Sequence, residues 1–120
     1  MRIAFAAALA CLISPSLAQA DPVADFYRGR TITLYVGVSV GGEYDLQARL
    51  VAHHIGKHIP GQPTVIASNM TGAGGLVMAN WLFNLAPRDG TAVGVIQNGF
   101  PAQQAVGLPG VQFDASKYAW

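Results

Sequence analysis

The sequence predicts an α/β fold with a mainly parallel sheet and helices on its faces. Two observations carry this reading. Short runs rich in β-branched and aromatic residues, Thr31–Val36, Thr64–Ser68 and Thr91–Ile96, are separated by stretches with helical spacing. The order strand, loop, helix recurs three times, which is the rhythm of parallel crossover units.

Each element follows from local chemistry. Asp21 to Arg28 is a short helical lead-in around Phe26 and Tyr27, and Gly29 ends it. Thr31-Ile32-Thr33-Leu34-Tyr35-Val36 is the first strand, followed by the glycine-bearing loop Gly37–Gly42. From Glu43 to Ile59 the apolar residues Tyr44, Ala48, Val51, Ile55 and Ile59 recur at steps of three and four and share one helix face. Glu43 and Asp45 in the first turn, and Lys57 and His58 in the last, complement the helix dipole. Pro60-Gly61 stops this helix. Thr64–Ser68 is the second strand and Asn69–Gly75 a second glycine-rich loop. Leu76 to Leu85 is apolar almost all round and reads as a buried helix, with Trp81 and Phe83 in the core. Pro87-Arg88-Asp89-Gly90 is a turn, Thr91–Ile96 the third strand, and Gln97-Asn98-Gly99 a third loop. A weaker helix covers Ala102–Val106, and Tyr118-Ala119-Trp120 reads as the start of a further strand.

The first twenty residues read as a secretion signal. Arg2 supplies a positive start, Ile3 to Ile13 carries no charge, and Ala18-Gln19-Ala20 is a small-x-small cleavage site. The apolar run is shorter than the ~20 residues a membrane-spanning helix needs. Cleavage after Ala20 removes the single cysteine, Cys11, so the mature chain would hold no disulfide and no thiolate chemistry. It also removes one of the seven Lys/Arg, leaving the basic residues balanced by the six Asp/Glu. Without a basic cluster there is no electrostatic footprint for nucleic acid.

All three loops follow the carboxyl ends of predicted strands, where open α/β sheets receive ligands. Two of them, Gly37-Val38-Ser39-Val40-Gly41-Gly42 and Thr71-Gly72-Ala73-Gly74-Gly75, each precede a helix. Glycine lets backbone N–H groups approach a ligand closely, and a helix N-terminus adds unpaired donors and partial positive charge. Such a pair can hold a carboxylate without Lys or Arg.

Phe26-Tyr27-Arg28-Gly29-Arg30-Thr31-Ile32-Thr33-Leu34 resembles the opening of tripartite tricarboxylate transporter substrate-binding proteins, the Bug family. Gly41-Gly42-Glu43-Tyr44-Asp45, Asn69-Met70-Thr71-Gly72-Ala73-Gly74-Gly75, Pro87-Arg88-Asp89-Gly90-Thr91 and Phe113-Asp114 with Lys117-Tyr118 continue the resemblance in order. It implies a periplasmic receptor with a two-lobed periplasmic-binding-protein fold. Residues 21–120 would form the N-terminal part of lobe 1, with the second lobe absent. It implies capture of a small organic carboxylate or related solute and delivery to the membrane permease subunits of a tripartite tricarboxylate-type transporter. It assigns ligand contacts to Ser39, Gly41, Gly42, Tyr44 and Asp45, then to Thr71, Gly72, Ala73 and Gly74, and less directly to Asn98. Val40 and Thr71 stand where the family usually has proline, and Glu43 where a small residue is usual.

Other chemistry is poorly supplied. His54 and His58 share a helix face, but no Glu follows His54 and no third ligand is evident, so no metal is expected. The glycine loops lack Gly-Lys-Ser/Thr, so no nucleotide cofactor is expected either. Ser39 and Ser68 lie outside a Gly-x-Ser-x-Gly elbow, and no catalytic residue is assigned. A secreted α/β hydrolase-like enzyme and a ligand-loaded receptor for a signalling partner remain the alternatives.

Overall fold

The structure is a computed structural model that describes residues 20–120. The signal read over residues 1–20, with Cys11, lies outside the described residues except for Ala20. The element order is α1 (Pro22–Tyr27), β1 (Thr31–Val36), α2 (Glu43–Ile55), β2 (Thr64–Asn69), α3 (Leu76–Asn84), β3 (Ala92–Val95) and α4 (Phe100–Ala105). Single 3-10 turns cover Gly56–His58, Ala73–Gly75 and Ala115–Lys117.

The three strands form one parallel sheet in the order β2-β1-β3. The predicted α/β class with a parallel sheet is therefore what the chain adopts. The register aligns Val36 with both Asn69 and Val95, so the three strands finish on one rung and their loops emerge side by side.

Strand alternation divides the helices between the two faces. Asn69 bonds Asp45 of α2, so α2 lies on the face that carries Val36 and Leu34. Tyr35 points the other way and meets Trp81 of α3, ring centroids 4.5 Å apart. Gly94, level with Tyr35, lets α3 sit close: a Cβ there would fall against the Leu82 side chain. Ile32, Leu34 and Val36 of the central strand are buried accordingly. A second cluster forms beneath α3 from Leu76, Ala79, Phe100 and Phe113, with Phe83, Ile96 and Tyr118 packed against it.

Three expectations need correction. The helix predicted over Glu43–Ile59 leaves α-geometry at Ile55, and Gly56–His58 continues as a tighter turn. Gly56 there lies against the backbone of Pro63, where a Cβ would fall 2.5 Å from the Pro63 carbonyl oxygen. The apolar stripe on that helix is only partly covered. Ala48 is buried, yet Val51 and Ile55 are 45% and 39% exposed. Val93, on the same sheet face in β3, is also exposed, and α2 on this face packs over β2 and β1.

The third correction concerns Tyr118–Trp120, which is not a strand. Asp114 caps the 3-10 turn, accepting from the Ser116 N–H at 3.0 Å. The Tyr118 ring then folds onto Phe83 and Phe113, at 5.3 and 5.8 Å between centroids. Core packing has overridden strand propensity.

The Tyr118 hydroxyl donates to the Ala79 carbonyl at 2.7 Å, and burial pushes the phenol up to about 12. Its value when unfolded is about 10. Stability from this group is therefore whole below about pH 10 and lost as pH rises toward 12. Tyr118→Phe should melt below wild type at pH 8, where the hydrogen bond is lost. The gap should narrow between pH 10 and 12, measured by thermal denaturation across that range.

Candidate functional site

The loop after β1 begins at Gly37, and the loop after β2 ends at Gly75. The two touch through backbone. A Cβ on Gly37 would lie 2.9 Å from the Gly75 Cα, and one on Gly75 would lie 3.4 Å from the Gly37 carbonyl oxygen. Neither residue was assigned a role from sequence. The signal was present, since each glycine flanks a loop, but only the level register of β1 and β2 makes them neighbours.

The second loop has an unusual backbone. Gly72, Ala73, Gly74 and Gly75 all have positive φ, at 140°, 45°, 64° and 96°. For Ala73 this left-handed conformation is uncommon and strained. The turn closes through the Gly75 N–H to the Gly72 carbonyl at 2.8 Å. The N–H groups of Ala73 and Gly74 have no hydrogen-bond partner among the described residues. They lie directly before α3, whose nine residues direct a partial positive charge toward them. A Cβ on Gly74 would meet nothing within 4 Å, so the surface over this turn is open.

The first loop is built around Asp45. This carboxylate is 1% exposed. It accepts from the Gly41 N–H at 2.8 Å, Arg49 Nε at 2.9 Å and Asn69 Nδ2 at 2.8 Å. The Arg49 guanidinium, then the Gly41 N–H and the Asn69 amide, hold it well below the usual carboxylate range. Asp45 is thus fully engaged beneath the loop. Sequence reading passed over Arg49 and the side chain of Asn69, although an Asp followed four residues later by Arg on a helix is a recognisable pair.

The other assigned residues lie around this centre. Ser39, Gly41, Thr71, Gly72, Ala73 and Gly74 are exposed, and Gly42 is half-buried. Tyr44 and Asn98 come together: the Tyr44 hydroxyl donates to Asn98 Oδ1 at 3.3 Å, linking the start of α2 to the third loop. Glu43 is exposed and accepts from Gln47 Nε2 at 3.1 Å, so its charge is held along the outside of the helix. Among the described residues, no group of three or more His, Cys, Asp or Glu could hold a metal ion. His53 and His54 stack edge to face at 4.7 Å. No helix among the described residues is long and apolar enough to cross a membrane.

An open parallel α/β sheet with its loops gathered at one end is compatible with part of a periplasmic-binding-protein lobe. The chain is similar to a UPF0065 protein in the gbd 5' region of Cupriavidus necator, 40% identical over 81 residues. That match takes in 68% of this chain and 23% of the relative, so the chain spans about a quarter of the length of the curated relative it matches. No family model matches the chain, and no solved structure does.

The close approach at Gly37 and the looser setting of Gly42 yield a paired expectation. Gly42 has φ −74° and its hypothetical Cβ has contacts of 3.5 Å or longer. Gly37→Ala should destabilise by ~1–3 kcal/mol through overpacking, whereas Gly42→Ala meets no clash and should cost only the ~0.5–1 kcal/mol of exchanging a favoured N-cap residue for alanine. Calorimetry of both variants checks this.

Acid should act on the same loop. A depressed carboxylate contributes stability that is whole above its unfolded value of about 3.9 and lost as pH falls through its folded value. Asp114, whose Ser116 and Lys117 partners bring it to about 2, follows the same sign. In acid titrations followed by circular dichroism, Asp45→Asn should be less stable than wild type at pH 7. It should also lose less of its remaining stability below pH 4.

Proposed function

We propose that this chain is a binding protein that captures a small organic carboxylate in the periplasm and presents it to the membrane permease of a tripartite tricarboxylate-type transporter. One observation carries the reading. Two glycine loops leave neighbouring parallel strands on one rung, touch at Gly37 and Gly75, and offer unpartnered N–H groups at the start of α3. Backbone donors at a helix N-terminus favour an anion without a cationic side chain. Asp45, buried beneath them, is engaged by Arg49, and Glu43 is held outside, so little negative charge from these two carboxylates opposes such a ligand.

The similarity to a UPF0065 protein supports the same class, because UPF0065 is the name of the Bug/TctC family of receptors. It also favours binding over catalysis. The N-terminal signal read from sequence supports export to the periplasm. Ser39, Gly41, Gly42 and Tyr44, with Thr71, Gly72, Ala73, Gly74 and Asn98, would surround the ligand. Asp45 would act from below.

Thermal unfolding of the purified chain with succinate, glutamate or citrate tests the reading. A ligand at about 100 times its dissociation constant should add ~2.7 kcal/mol of stability. Gly74→Val should remove that increment, because a β-branched residue resists the φ of 64° at that position. Equal midpoints with and without every carboxylate would refute the proposed function.

A further inference from the structure

We propose that Asp45, Arg49 and Asn69 form a latch that fixes the first two loops in mutual register, positioning the binding residues without touching the ligand. In its functional meaning the latch rests on the carboxylate reading, but its existence can be tested separately.

The bonds form a closed circuit. Asp45 Oδ2 accepts from the Gly41 N–H and from Arg49 Nε, at 2.8 and 2.9 Å. Asp45 Oδ1 accepts from Asn69 Nδ2 at 2.8 Å. The same Asn69 amide group donates to the Val38 carbonyl at 2.9 Å, and Asn69 Oδ1 accepts from Arg49 Nη2 at 2.9 Å. Val38 and Gly41 belong to the first loop, whereas Asn69 is the last residue of β2, where the second loop begins. An ordinary helical Asp–Arg pair would need only one of these five bonds. Of the other four, the Gly41 bond ties the first loop to the start of α2, the three bonds of Asn69 join segments distant in sequence, and each polar atom has one chemical role in the circuit. The Asp45 oxygens face three donors, so an amide in their place would set its own NH2 against a donor. Coupling of this kind means that a ligand ordering one loop lowers the cost of ordering the other.

Amide hydrogen exchange on the full chain, read residue by residue by NMR, separates a latch from a general support of the fold. The Gly41 N–H depends directly on Asp45. The Met70 N–H, which donates to the Val36 carbonyl at 2.9 Å, reports the start of the second loop. The Thr33 N–H, bonded to the Thr91 carbonyl at 2.8 Å, reports the sheet. In Asp45→Asn, exchange at Gly41 and Met70 should rise about tenfold or more, since bonds to a charged group are lost, while Thr33 stays at the wild-type rate. Arg49→Gln, altered at a side chain that is 45% exposed, should show the same pattern more weakly and supplies the readout if Asp45→Asn does not fold. A parallel rise at Thr33, or unchanged rates at Gly41 and Met70, would overturn the latch. Titration with citrate and succinate is the second arm. If either binds the wild type, Arg49→Gln should bind it about tenfold less tightly, and unchanged affinity counts against positioning. If neither binds, the carboxylate reading fails, while the exchange pattern still decides the latch.

Discussion

The arrangement of the loops depends on one buried carboxylate. Asp45 sits at 1% exposure in the first turn of α2, a place where a bare charge would be strongly disfavoured. It is accommodated because three donors converge on it from the helix, from the first loop and from the end of β2. Arg49 reaches it from one turn further along, while its own side chain remains half in solvent. Burying a pair like this contributes little net stability compared with a well-packed apolar pair, but breaking it leaves an unmet charge. Its physical consequence is geometric, since the three segments meet only in the arrangement that satisfies all the donors.

The level ends of the strands supply the second constraint. Because Val36 pairs with Asn69 on one side and Val95 on the other, three loops leave the sheet at the same height. The first two then approach until backbone meets backbone, which only glycine at Gly37 and Gly75 permits. The third is drawn in through Tyr44 and Asn98. The open positive-φ turn from Gly72 to Gly75 is the part with donors to spare. Support from below and unpartnered N–H groups above are the two features on which the proposed anion site rests.

Much of this was legible in the residues. The β-branched run Thr31–Val36 is the first strand residue for residue, and the second and third differ from expectation only at their ends. Parallel pairing followed from the recurring order of elements. Loop positions followed from glycine clusters at strand ends. What stayed hidden depends on contacts between distant residues. Asp45 was named as a ligand contact through the family resemblance alone, and its engagement by Asn69 needs the register of β1 on β2. The Tyr44-Ala48-Val51-Ile55 stripe shows which side of α2 is apolar, but not that Val51 and Ile55 stay partly exposed on it. Tyr118 has strand-forming character, and only the rings of Phe83 and Phe113 explain why it folds inward.

The claim that these loops receive a carboxylate can be examined at the atoms concerned. Two-dimensional 1H–15N spectra of the chain would be recorded during addition of citrate and of succinate. The account predicts saturable shifts at Gly41, Ala73 and Gly74, with the amides of Gly56 and Gln62 at the opposite end of the sheet unmoved. Shifts confined to that opposite end, or none at any amide, would contradict it.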